Sequence, residues 1–135
     1  MICSNVPLGG GVSSSAALEV SFATFLENLF SLRINPVTKA LRCQTAEIDF
    51  TGTPCGIMDQ FISSMGKDEH LLLIDCRHNT PQPVRFFTGD VLLLVCNSNV
   101  KHSLSGSEYP VRVQQCQQAV TIVRACFMRD VCMCD

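Results

Sequence analysis

Pro7-Leu8-Gly9-Gly10-Gly11-Val12-Ser13-Ser14-Ser15-Ala16-Ala17 is the stretch on which the reading of this chain turns. Three successive glycines let the backbone take positive φ and come close to a ligand. The small residues after them open a helix whose first N–H groups have no partner within it. Those N–H groups and the positive end of the helix dipole together attract an anion. Ser13, Ser14 and Ser15 add hydroxyls, and oxygen donors suit hard Mg²⁺, which usually arrives with phosphates. No Gly-Lys-Ser/Thr follows the glycines, so this is not a Walker loop. A Gly-Ser turn capping an ordinary helix is the competing reading. The run of three serines into two alanines favours phosphate, because residues this small permit close approach at a helix start.

Outward from this loop the pattern is helical to about Leu32, with Leu18, Phe22, Phe25, Leu26 and Leu29 on one face. Asn35-Pro36 announces a second helix, an N-cap residue followed by proline at the first helical position. It runs through Leu41 and Ile48 and stops near Gly52. Thr53-Pro54-Cys55-Gly56 is a tight loop, and a shorter helix from Ile57 to Met65 ends at Gly66. Residues 71–75, 84–87 and 91–97 then read as strands, separated by residues 79–83 and by Gly89-Asp90. Residues 97–106 form a polar loop. A last helix starts near Ser107-Glu108-Tyr109-Pro110 and runs through Val113, Cys116 and Val120 towards Phe127.

Composition narrows the class. The 135 residues carry a formal net charge of −2 and no basic block, which argues against nucleic acid as a partner. The longest apolar runs, residues 71–74 and 91–96, are far too short to cross a bilayer. Met1-Ile2-Cys3-Ser4-Asn5 shows no basic region followed by an apolar stretch, so no secretory signal is expected. Nine cysteines, most of them single within apolar or mixed segments, fit buried thiols in a reducing cytosol better than a disulfide framework.

Two acidic residues stand out, and each has a plain structural alternative. Asp59, in Pro54-Cys55-Gly56-Ile57-Met58-Asp59-Gln60-Phe61, falls in the first turn of a short helix, where a carboxylate commonly stabilises the helix N-terminus. Glu47, taken alone, reads as solvated helix surface.

The motifs resemble, in order, those of the galactokinases of the GHMP kinase superfamily. The match runs through Leu8 to Leu18, Ala46-Glu47 and Gly52-Thr53-Pro54-Cys55-Gly56-Ile57-Met58-Asp59-Gln60-Phe61-Ile62-Ser63. It continues through Leu72-Leu73-Ile74-Asp75-Cys76-Arg77, Asn97-Ser98-Asn99-Val100-Lys101-His102-Ser103-Leu104 and Ser107-Glu108-Tyr109-Pro110-Val111-Arg112. The resemblance implies an α/β chain of α+β type, part of a two-domain fold with helices packed on a mostly antiparallel sheet. It implies that residues 1–66 belong to the N-terminal domain, with phosphate loop and catalytic aspartate. Residues 67–120 would lead into the C-terminal domain, and residues 121–135 form a tail outside the match.

The activity implied is transfer of the ATP γ-phosphoryl group to the C1 hydroxyl of galactose, in the cytoplasm, by a monomer that needs Mg²⁺. Gly9, Gly10, Gly11, Val12, Ser13, Ser14, Ser15, Ala16, Ala17 and Leu18 would hold the ATP phosphates. Ser15 and Glu47 would bind Mg²⁺. Asp59 would act as base on the sugar hydroxyl, and Gly56 would line the sugar pocket. Phosphoryl transfer depends mainly on positioning and charge neutralisation, with one carboxylate to orient or deprotonate the nucleophile, so the two lines of reasoning agree.

An N-acetylgalactosamine kinase and a non-catalytic galactose sensor are the alternatives. Pro54 to Asp59 favours galactose, and the retained Ser15-Ala16 pair argues against the sensor. The family's sugar-gripping N-terminal segment and its C-terminal glycine-rich motif do not occur in these residues, so the chain by itself is expected to be inactive. A zinc site at Cys126, Cys132 and Cys134 is disfavoured, because no histidine lies nearby and the spacing matches no common pattern.

Overall fold

In the computed structural model, which describes residues 1–52, 54–86, 89, 91–97 and 108–123, the chain runs α1 (Ser14–Leu29), α2 (Pro36–Thr51), α3 (Met58–Met65), β1 (His70–Asp75), β2 (Thr80–Arg85) and α4 (Tyr109–Val123). It divides into two compact units, Met1–His102 and Ser103–Asp135, and α4 is the described element of the second. Helices with one antiparallel strand pair make the α+β arrangement that the sequence implied.

Helix α2 is bounded by its own sequence. The Asn35 side-chain oxygen accepts from the backbone N–H of Val37 at 2.9 Å and of Thr38 at 3.4 Å, and Pro36 occupies the first turn. These bonds satisfy donors that no helical carbonyl can reach. At the other end Gly52 takes φ +67° and closes the helix through its N–H to Ile48 O. Helix α1 stops three residues earlier than expected. Ser31 adopts a left-handed conformation at φ +51°, its N–H bonds to Asn28 O, and Leu32 N–H reaches back to Glu27 O at 2.8 Å. That pair of bonds is the Schellman ending, here built on serine rather than glycine.

The two helices are clamped at the same end. Lys39 Nζ donates to Glu27 Oε2 at 2.7 Å and to Thr24 Oγ1 at 3.1 Å, while Glu27 Oε1 accepts from Ile34 N–H. The Lys39 contact holds the Glu27 carboxyl below its ordinary range. The inward face of α1 is made of small residues, Ala16 and Val20, which are buried. The larger Leu18, Phe22, Phe25 and Leu29, expected on one face, are on the outward side, and Phe22 is 56% exposed.

The core lies between α2, α3 and β1. Ala40, Ile57 and Phe61 are buried together, with Val37, Leu41, Met65, Leu72 and Ile74 packed against them. Leu72 and Ile74 face this core while Leu71 and Leu73 face out, as a two-residue period requires. Gly66 is the C-cap of α3, and its backbone there calls for glycine because a Cβ would sit 2.6 Å from Ile62 O.

The strands differ from the expected ones. Residues 79–83, which include Pro81 and Pro83, are expected to separate two strands, yet β2 spans Thr80–Arg85 and pairs with β1 from Asp75↔Thr80 to His70↔Arg85. Phe86 N–H bonds to Glu69 O in the same register, which fixes the phase of the ladder. Both prolines then fall at positions whose nitrogens face away from β1, where a missing N–H costs no ladder bond. The turn is formed instead by residues 76–79, with Asn79 at φ +53°. Residues 91–97, expected as a third strand, form no strand, and Leu92 is 87% exposed. Strand propensity records a fit to a half-buried pleated surface, and no described strand lies beside this segment to supply one. Residues 98–106 of the expected polar loop and the tail from residue 124 lie outside the described residues.

Asn35→Ala is expected to cost about 1 kcal/mol of stability and to lower hydrogen-exchange protection first at the Val37 and Thr38 amides, whereas Asn35→Ser retains most of both. Amide exchange by mass spectrometry or NMR checks this.

Candidate active site

The loop before α1 takes the shape that its glycines permit. Gly9 and Gly11 have φ of +70° and +73°, and nothing lies within 4 Å of where either Cβ would stand. It is the backbone conformation that calls for glycine at these two positions. Gly10 is different. A Cβ there would come within 3.2 Å of Pro7 Cβ and 3.5 Å of Asn97 Nδ2, so the Asn97 side chain rests against the loop.

Ser13 ends the loop in a left-handed conformation, φ +53° and ψ +56°. It stands at the N-cap position, but its hydroxyl makes no capping bond. The hydroxyl instead donates to Asp59 Oδ2 on α3. The first bond of α1 is Ala17 N–H to Ser13 O at 3.1 Å, which leaves the N–H groups of Ser14, Ser15 and Ala16 outside the helical ladder. Ala16 is fully buried, so no larger side chain fits there, while Val12, Ser15 and Leu18 are exposed. Ser14 and Ala17 are half-buried, and Gly56 is exposed in the turn before α3.

Glu47 lies on the inward face of α2 and is buried, contrary to the solvated-surface alternative. Its Oε2 accepts from Gln60 Nε2 at 2.5 Å and from the Cys55 thiol at 3.8 Å. Gln60 Nε2 also reaches Glu19 Oε2 at 3.4 Å. Burial raises the Glu19 carboxyl above its ordinary range; the Gln60 bond opposes this, and the nearby Glu47 charge adds to it. Gln44 fixes the loop before α3 by donating to Cys55 O at 2.9 Å. Burial, and then the negative charge of Glu47, push the Cys55 thiol up to about 11.

The structure therefore joins Ser13 to Asp59, and Glu47 to Gln60 and Cys55. Ser15, the other expected metal ligand, is not among the hydrogen-bond partners of Glu47. Among the described residues no group of three or more His, Cys, Asp and Glu side chains is arranged to hold a metal ion. Cys126, Cys132 and Cys134 lie outside the described residues. Sequence reasoning passed over Glu19, Gln60 and Asn97 as individual site residues. Gln60 carried a usable signal: it is polar, yet it stands three residues after Ile57 and beside Phe61 on the inward stripe of α3.

Residues 1–67 match the family described as GHMP kinases N terminal domain. Galactokinase from Homo sapiens is 48% identical over 131 residues, which cover 97% of this chain and 33% of the human protein. Galactokinase from Canis lupus familiaris is 45% identical with the same coverage. Galactokinase from Haemophilus influenzae (strain PittEE) is 46% identical over 133 residues, 97% of this chain and 34% of that protein. The chain thus spans about a third of the length of the curated relatives it matches, and they are the relatives to which the order of its motifs pointed.

In protein free of divalent cation, Cys55 is expected to alkylate slowly at pH 8, because few thiols with a pKa near 11 are ionised there. Glu47→Gln removes a charge that disfavours the thiolate and is expected to speed the reaction, about tenfold for each unit by which the thiol pKa falls. Peptide mass spectrometry after timed iodoacetamide labelling measures it.

Proposed function

We propose that this chain belongs to the GHMP kinase family and carries the phosphate loop and the catalytic base of an ATP-dependent galactokinase. The observation that carries the reading is the Ser13–Asp59 hydrogen bond. It ties the end of an anion-binding loop to a carboxylate 46 positions away in the chain. A helix N-cap role for Asp59 does not account for that contact.

The chemistry follows from this juxtaposition. The unpaired N–H groups at the start of α1, with the loop backbone before them, would hold the phosphates of ATP. Asp59 would take the proton of the galactose C1 hydroxyl as its oxygen forms a bond to the γ-phosphorus, and the bond to the β,γ-bridging oxygen breaks to release ADP. Ser13 engages Oδ2, so in this reading Oδ1 would be the oxygen that takes the proton. Gly56, with no side chain, would leave room for the sugar beside α3.

The donor set suits Mg²⁺ in kind. The buried Glu47 carboxylate and the hydroxyls of residues 13–15 are hard oxygen donors, and Mg²⁺ commonly takes only one or two protein ligands when phosphates supply others. When bound, the ion would neutralise charge on the phosphates; Glu47 and Ser15 are the residues assigned to it. Of the six described cysteines, all free thiols, Cys43 is buried and Cys55 half-buried, but Cys3, Cys76, Cys96 and Cys116 are exposed, contrary to the expectation of buried thiols. The cytoplasmic setting in this reading therefore rests on the resemblance. No described helix is long and apolar enough to cross a membrane. The active form in this reading is a monomer.

Asp59→Asn in the full-length protein is expected to lower galactose-dependent ADP release by roughly 10²–10⁴-fold with little change in nucleotide affinity. A coupled ADP assay with and without galactose measures it. Near-normal turnover in the variant would return Asp59 to the role of helix cap.

A further inference from the structure

Gln60 follows Asp59 on α3 and points into the protein, where its side chain is 1% exposed. A primary amide has two N–H donors on one nitrogen. Here that nitrogen contacts two carboxylates from two helices, Glu47 Oε2 of α2 at 2.5 Å and Glu19 Oε2 of α1 at 3.4 Å. The amide oxygen Oε1 is buried without a hydrogen-bond partner. An orphaned buried acceptor is unfavourable, and methionine would fill the same volume without it. Packing therefore does not explain glutamine at this position, and its donors do.

The geometry points to Gln60 as a positioning residue that fixes the direction of the Glu47 carboxylate, and through it the affinity of the site for the divalent-cation complex of the nucleotide. The inference rests on the galactokinase reading, in which Glu47 serves the metal. Cys55 Sγ, at 3.8 Å, is the other group that bonds Glu47 Oε2, and a thiol is a weak donor. The 2.5 Å amide contact is thus the stronger restraint on the carboxylate rotamer. Without it Glu47 can turn, and its negative charge no longer stands at one place relative to the phosphates. In this inference Gln60 touches no substrate and acts through Glu47, its shorter contact, with Glu19 the longer one.

The test compares ADP binding with and without Mg²⁺ by calorimetry in the full-length protein, alongside galactose binding and thermal unfolding. Gln60→Met is expected to weaken ADP binding about tenfold in Mg²⁺ and to leave binding in EDTA, and galactose binding, unchanged. Equal losses with and without Mg²⁺, or no loss in a folded variant, would overturn the inference. A readout in the wild-type protein needs no substitution: the Gln60 side-chain amide resonances should shift on addition of Mg²⁺ with ADP but not with ADP alone. Resonances that stay in place would also overturn it. A wild-type protein that responds to Mg²⁺ but does not phosphorylate galactose overturns the substrate reading only. One whose ADP affinity ignores Mg²⁺ overturns both.

Discussion

Three successive side chains at the head of α3 point three ways, and the rest of the site depends on them. Asp59 turns to the glycine loop and accepts from Ser13. Gln60 turns to α1 and α2 and bonds Glu19 and Glu47. Phe61 turns to the core and is fully buried. Consecutive residues on a helix are separated by about 100°, so one turn can address three neighbours only if the helix axis is fixed. Phe61 and Ile57 fix it by packing with Ala40, and Ser64 adds a bond to Pro36 O at 3.1 Å. A rotation of α3 that relieved any one of these contacts would misalign the other two.

The same arrangement explains why so much charge lies beneath the surface. Taking a carboxylate out of water is costly unless its oxygens find donors. Glu47 finds an amide and a thiol, and burial of Glu19 raises its carboxyl towards the neutral form. Farther along α1, Glu27 meets Lys39 and a backbone N–H, so its charge is balanced locally. The two ends of the α1–α2 pair therefore differ. The Glu27–Lys39 end is electrically closed. The Glu19–Glu47 end, nearer the start of α1, instead gathers two carboxylates around the neutral Gln60 amide, which fits the metal role proposed for Glu47.

What the sequence disclosed was local. Asn35-Pro36 and Gly52 mark the ends of α2 because each acts on backbone groups within four residues of itself. The glycine loop and the start of α1 were legible for the same reason. The end of α1 was not, since Ser31 carries no αL preference to advertise the turn it makes. The start of β2 was not legible either, because composition says that Pro81 and Pro83 lack N–H groups but not which way their nitrogens face. Only the pairing register answers that. Residues 91–97 have strand composition, but a strand needs a partner, and partners are set by long-range contacts. In the site, Asp59 and Glu47 gained their candidacy from motif order rather than from chemistry visible in one chain. The burial of Glu47 depends on α3 crossing the same face of α2, a fact with no local signature.

Ser13 shows how the glycine loop and Asp59 are coupled. Glycine would accept its left-handed conformation without strain, and a non-glycine residue there costs roughly 1–2 kcal/mol. A serine at the N-cap would ordinarily offset such a cost by accepting from the first turn of the helix. Here the hydroxyl is spent on Asp59 instead. A hydrogen bond to a charged group contributes about 1.5–3 kcal/mol, enough to hold the strained backbone in place. The loop conformation and the direction of the Asp59 carboxylate are thus set by one interaction. In the proposed reading, a ligand that shifted the backbone around Ser13 would also disturb the bond that orients the Asp59 carboxylate.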